Sequence, residues 1–408
     1  MSLLNQFFPQ SFFNKQKILV LLNSLILYFI CFFIFVVPFD KPLARIFVYS
    51  VIILYTVASV IAYVVAFLKH FIPATPLNKS VLLFLAAAIF SVIASIDPYS
   101  SQKILFERYI IYAVFFWINY KVIEARRENI YYIILSLLYL GIIIGLGALV
   151  DYFTIKPDRL YTVFKVQVNL TAFLVFLMPL SLVLLSSKVN KSFRILSLVC
   201  ILLLLPVAVF QGGRTLWSGV VLTVLLIFIG RKYWFFTIVF VSLLAALLMP
   251  KPLGDRAKSL IFPFSRQVLS DRIDLARSAT NIFKEHPVFG AGLGSFGNLY
   301  KPPAAYKNNP TWQHLHAHNI YLEIAAEMGA FGLLAFLAVI IVFLLKFFIY
   351  WVKWVKSGGK INVINVAAGA AVIASLISNV SVSSIIVGFQ DSLLFWMFLA
   401  IALKEVEV

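Results

Sequence analysis

Three of the chain's five histidines stand within one short stretch, His314-Leu315-His316-Ala317-His318, directly ahead of Asn319 and the apolar run Ile320-Tyr321-Leu322. Imidazole changes protonation near neutral pH and can take the proton from a substrate hydroxyl, so the cluster is a candidate reaction centre. Two other roles stay open. A metal ion would need two of the imidazoles and a further ligand from Glu323, Asp271 or Asp274, although no recognised zinc spacing such as HExxH occurs. A structural role would have the rings cap a helix or wet a membrane interface. If the following helix starts near His314, then His314 and His318 share one face a turn apart and His316 points elsewhere.

Three arginines stand where they could serve such a centre. Arg214 follows Gln211-Gly212-Gly213, between two apolar runs, and Arg272 opens an amphipathic stretch in the longest polar segment. A guanidinium makes forked, charge-assisted bonds to phosphate oxygens and keeps its proton, which suits it to hold a pyrophosphate leaving group. The bland alternatives are snorkelling to lipid headgroups for Arg214 and a surface salt bridge for Arg272. Arg108, beside Glu107 and near Lys103, is a third cation at the start of an apolar run; it is either a phosphate contact or an interfacial anchor.

The elements that must position these residues are membrane helices. The chain is 408 residues long, 62% hydrophobic, 16% aromatic and 12% charged, far below the roughly one quarter charged residues of globular proteins. Crossing a bilayer takes around 20 apolar residues. Runs of that kind recur near 18 to 37, 44 to 68, 80 to 96, 104 to 120, 130 to 150, 167 to 187, 193 to 210, 215 to 229, 233 to 249, 318 to 345, 362 to 383 and 388 to 403. They lack the strict alternation of barrel strands, so the expected fold is an all-α polytopic membrane protein of about 12 helices. The first run is too long for a signal-peptide core and reads as an uncleaved span. Cys31 and Cys200 lie inside apolar runs, where they act as small hydrophobes.

Orientation follows from the short loops, because Lys and Arg collect on the cytoplasmic side. With the N-terminus inside, that side carries Arg126-Arg127, Lys188, Lys191, Arg194, Arg231-Lys232, Lys353, Lys356 and Lys360. Both termini are then cytoplasmic, and one long loop between helices 9 and 10 faces the periplasm of a double-membrane bacterium. The expected division is residues 1–249 as spans 1 to 9, 250–317 as the periplasmic loop and 318–408 as spans 10 to 12. The net charge of +18 has no soluble basic domain to direct at nucleic acid; anionic lipids or a phosphorylated substrate fit it better.

The loop shows signs of order. Ser270-Asp271 looks like a cap leading into a helical stripe of Ile273, Ala276, Thr280 and Phe283 that ends at His286-Pro287. Gly292-Leu293-Gly294-Ser295-Phe296-Gly297 formally satisfies GxGxxG. That fingerprint binds dinucleotides only between a strand and a helix of a βαβ unit, and the flanks here are a helix and a Pro-rich passage. The glycines read as tight turns folding the loop onto the membrane surface.

Gly213-Arg214-Thr215, then Ser270-Asp271-Arg272 running to His286-Pro287-Val288-Phe289-Gly290-Ala291-Gly292, then His316-Ala317-His318-Asn319 running to Glu327-Met328-Gly329-Ala330-Phe331-Gly332, together resemble the O-antigen ligase and polymerase superfamily. The resemblance is close over residues 205 to 345. It implies a GT-C-like glycosyltransferase that works outside the cytoplasm with no cofactor, neither metal nor nucleotide sugar. Such an enzyme takes a glycan from undecaprenyl pyrophosphate. In the ligase branch it passes the glycan to the lipid A-core oligosaccharide, in the polymerase branch to another lipid-linked repeat, and in a third branch to a pilin hydroxyl. By motif position the essential histidine falls on His318 and the two essential arginines on Arg214 and Arg272. His314, His316 and Asn319 are then expected beside the base or against the acceptor, and Arg108 as a further diphosphate contact.

The ligase reading expects a single inverting displacement at the inner membrane's outer face, lipopolysaccharide biosynthesis being the setting. The mild preference over the pilin branch rests on the modest loop and on the lack of a large soluble C-terminal domain. A competing class is a lipid or glycan transporter. Such proteins show repeated halves with helix breaks near the midplane, and no internal repeat is found here.

Overall fold

The computed structural model describes residues 15–39, 41–62, 72–126, 128–155, 160–167, 169–211, 214–230, 266–300 and 316–405. The expected ninth span (233 to 249), the loop up to residue 265, and residues 301–315 with His314 lie outside them.

Apolar runs form helices because lipid offers no partner for backbone N–H and C=O groups, so each segment must satisfy its own. The described helices are α1 (Lys15–Val36), α2 (Lys41–Ala62), α3 (Asn78–Ile93), α4 (Pro98–Ile104), a π-helical turn (Leu105–Ile110), α5 (Ile111–Ala125), α6 (Asn129–Ile155), α7 (Leu170–Ser186), α8 (Lys191–Gln211), α9 (Arg214–Gly230), α10 (Arg266–Glu285), α11 (Phe296–Leu299), α12 (Ile320–Lys356), α13 (Val363–Ser378), α14 (Ser384–Val387) and α15 (Phe389–Leu403). Five, namely α1, α2, α6, α8 and α12, are long and apolar enough to cross a bilayer, and shorter apolar helices accompany them. The chain is a helical membrane protein.

Most expected spans end within a few residues of these helices. The tenth departs: α12 runs to Lys356 rather than residue 345. Lys346 is the one charge in its apolar middle, and a half-buried lysine can lay its stem along the helix without ending it. The all-α expectation also needs one small amendment. Thr162–Val163 and Val166–Gln167 (β1 and β2) pair antiparallel across a two-residue turn whose Phe164 and Lys165 both have positive φ, 52° and 64°. That backbone matches the strand twist, and Asp151 Oδ2 fixes it by accepting from Lys165 N–H at 2.7 Å.

α7, α13 and α15 are buried on nearly every face and form the centre of the bundle. α13 packs against α7, α9 and α15, while α6 packs on α8. The α6–α8 contact uses small residues spaced four apart: a Cβ on Gly141 would lie 2.4 Å from Cys200 Sγ, and one on Gly145 2.6 Å from Leu203 Cβ. Close backbone approach of this kind is how apolar helices gain packing in lipid, where burial itself drives little. Cys200 is thus a buried packing residue, as its apolar setting suggests.

Candidate functional site at the start of α12

Asn319 begins the site by beginning the helix. Its Oδ1 accepts from Tyr321 N–H at 3.0 Å and Leu322 N–H at 3.1 Å, satisfying two donors that α12 cannot pair internally. The helix therefore starts at Ile320 and not near His314, so His316 and His318 precede it and share no helical face. His318 sits with φ 52°, the left-handed conformation that His adopts more readily than most non-glycine residues. Its carbonyl is turned to accept from Arg272 Nη1 at 3.4 Å. His316 folds back the other way, with Nδ1 3.0 Å from Glu323 Oε1. Glu323 is 2% exposed and the His316 ring about a third exposed.

Further along, α12 breaks. Gly329 has φ 67° and ψ −166°, a region essentially closed to residues with a Cβ. The break releases backbone groups in an apolar setting, and the glycine-rich loop takes them up. Ala291 and Gly292 N–H donate to the carbonyls of Ala326 and Glu327, each at 3.0 Å, while Ala330 and Phe331 N–H donate to Pro287 and Val288 carbonyls at 2.8 and 3.1 Å. Ser91 Oγ adds a 2.6 Å bond to the Glu327 carbonyl. The Glu327 side chain turns back and accepts from Phe296 N–H at 3.2 Å. The approach is so close that a Cβ on Gly290 would lie 2.2 Å from the Glu327 carbonyl carbon. Gly290, Gly292 and Gly294 have the positive φ that tight turns need, and their turns bind a broken membrane helix.

α10 carries Arg272 to this place, with two departures from expectation. It begins at Arg266, ahead of the anticipated Ser270-Asp271 cap; Arg266, Gln267 and Leu269 are good helix formers that carry it backward. Its buried stripe is Leu275, Ala279 and Ile282, packed with Ala291, Phe296, Ala317 and Ala326. Ile273, expected on the buried face, is 46% exposed. Both stripes have helical spacing, and the one with Leu275 fits the narrow alanine-lined surface of α12. Ala317, between the two described histidines, is itself part of that contact, so packing of α10 fixes both Arg272 and the histidine backbone.

Arg108 lies in the π-helical turn, half-buried. Such turns are rare and concentrate at functional positions. Its charge is felt by Glu327, Tyr109 and Tyr112. The turn is tied to the loop through α4: Ser101 Oγ donates to the Leu293 carbonyl at 3.0 Å, and Ile96 N–H to Ala291 O at 3.1 Å. Asp97 caps α4 through Ser100 N–H at 3.2 Å, and bonds from Ser100 hold its carboxyl below the usual range.

Residues 199–337 match the family described as O-antigen ligase. That stretch is an O-antigen ligase-family domain. It runs from within α8 to within α12 and takes in Arg214, Arg272, the histidines and Asn319, while Arg108 lies outside it. No curated protein matches the chain.

Within the family domain, the fold brings Arg272 to His318 and His316 to Glu323. Arg214 is the first residue of α9; its side chain and His314 lie outside the described residues. Among the described residues no three His, Cys, Asp or Glu side chains gather as a metal cage. Two site features lie beyond the sequence reading: the pairing of Glu323, which the sequence offers only as a metal ligand, and the buried Glu327 with the Gly329 break. The signal was present, because two acids one turn apart in an otherwise apolar helix are costly and usually functional or paired.

Proposed function

We propose that the protein is an O-antigen ligase that transfers a glycan from undecaprenyl pyrophosphate to the lipid A-core oligosaccharide, with its site on the periplasmic face of the bacterial inner membrane. The observation that carries this reading is the contact of Arg272 with the His318 carbonyl, inside a domain of the O-antigen ligase family. A cation for the leaving group, carried by α10, and an imidazole for the nucleophile, just ahead of α12, are thereby held next to each other. Both termini are taken as cytoplasmic, with about 12 spans.

His318 takes the proton of the acceptor hydroxyl as that oxygen attacks the anomeric carbon, and the bond from carbon to the pyrophosphate oxygen breaks with inversion. The charge that develops on the diphosphate is met by Arg272 and Arg214, with Arg108 as a third cation. The pyrophosphate linkage already carries the activation, so the reaction draws on no soluble energy source.

Two measurements test this. Purified protein in detergent, given lipid-linked donor and core acceptor, is expected to form product in the presence of a chelator; translocation without product would make it a transporter. Deleting the gene in its host is expected to remove all long chains from the core, whereas a single repeat left attached would identify a polymerase.

A further inference from the structure

Resting on that reading, we propose that Glu323 is a positioning residue that acts through His316, and that His316 so held binds the sugar acceptor at a hydroxyl next to the one that attacks. The mechanism above leaves this pair unused. Glu323 Oε1 is 3.0 Å from His316 Nδ1, and the carboxyl is almost wholly buried in the first turn of α12. A buried carboxylate is costly unless a donor meets it. His316 Nδ1–H is that donor, because Glu323 Oε2 has no hydrogen-bond partner among the described residues. Donation from Nδ1 fixes the tautomer and leaves Nε2 as an acceptor.

The neighbourhood leaves that role to a ligand. The ring is about a third exposed, so its free edge can be reached from outside. His316 lies two residues before His318, whose carbonyl is occupied by Arg272. Among the described residues, the other charged and titratable groups around the carboxyl are Glu327 on the same helix, with Arg108 and Tyr109 from the π-helical turn. Of these groups none makes a hydrogen bond or ion pair to the Glu323 carboxyl, whose partner among the described residues is His316. An imidazole Nε2 acceptor two residues from the base suits a neutral hydroxyl donor, of which a sugar acceptor offers several flanking the attacking one. The diphosphate, which presents only acceptors, does not fit it.

The test separates KM from kcat in the purified full chain with lipid-linked donor and core oligosaccharide. Glu323→Gln keeps the volume but offers an N–H donor as readily as an oxygen, so the ring loses its fixed tautomer. The acceptor KM is expected to rise about tenfold, with donor KM and kcat changed by less than about twofold. His316→Asn should give a similar rise, and adding Glu323→Gln to it should cost nothing more, since Glu323 acts through that ring. Glu323→Asp should recover part of the lost affinity. Additive losses, an unchanged acceptor KM, or a fall confined to kcat would each overturn the proposal. If Glu323→Gln fails to fold, His316→Asn carries the same readout from a half-exposed position. Absence of transfer by the unsubstituted protein would instead refute the ligase reading itself.

Discussion

The two ends of the helical bundle handle polar groups in opposite ways. At the end away from the histidines, charges meet each other at the surface: Glu124 accepts from Lys404 at 2.9 Å and Lys121 at 3.1 Å, and Lys353 lies 3.8 Å from Glu405. Trp354 Nε1–H donates to Ser187 Oγ at 2.9 Å. At the histidine end the acids Glu323, Glu327 and Asp391 are buried. A helix is broken at Gly329, another is widened into a π turn, and the freed backbone is paired across elements rather than within them. Surface ion pairs contribute little to stability, whereas buried acids and a broken helix are costly. The costly features gather at one end, with Arg272 and the histidines, and that end is where the chemistry is proposed.

The break offers the sharpest way to test the contrast. Gly329→Ala would force a Cβ to within 2.3 Å of the Val288 carbonyl oxygen at a φ closed to alanine, a penalty on the order of 2 kcal/mol from backbone strain alone. Thermal unfolding in detergent should show a clear loss of stability, and transfer should fall with it. An unchanged melting temperature would mean that the loop does not clamp the helix.

A smaller effect is expected from Arg214→Lys. If this residue clamps the diphosphate, loss of the forked geometry should lower transfer by about tenfold or more despite the retained charge, with melting unaffected. Full activity in the lysine variant would reduce Arg214 to a headgroup anchor. Ser91→Ala removes the 2.6 Å bond to the Glu327 carbonyl. It should cost about 1 kcal/mol, because Gly292 N–H still serves that oxygen. Least of all, Glu124→Gln at the opposite end should change stability by roughly 0.5 kcal/mol at most and leave transfer intact. A large loss there would remove the distinction between the ends.

The legibility of the two ends differs in the same way. Helix positions were readable because apolar length alone decides a membrane span, and α13 and α15 lie where the runs 362 to 383 and 388 to 403 placed them. Arg272, His318 and Asn319 stand in motifs visible in the sequence whatever the backbone does, and the fold sets Arg272 against the His318 carbonyl. The Gly329 break was not, since a glycine in a long apolar run has the same appearance in an unbroken helix. Nor was the face of α10, where Ile273 and Leu275 head stripes of equal periodicity and the choice lies in the shape of its partner. The Glu323–His316 pair required knowing that α12 begins at Ile320, after both histidines, so that the chain folds back over its own first turn.

His318→Asn tests the central claim most directly. Asparagine tolerates the left-handed backbone that His318 adopts, so the change removes the base with little strain on the fold. With purified lipid-linked donor and core acceptor, transfer is expected to fall by about 10²- to 10⁴-fold, while membrane insertion and melting temperature stay as they were. Transfer at the unsubstituted rate by that variant would contradict the account.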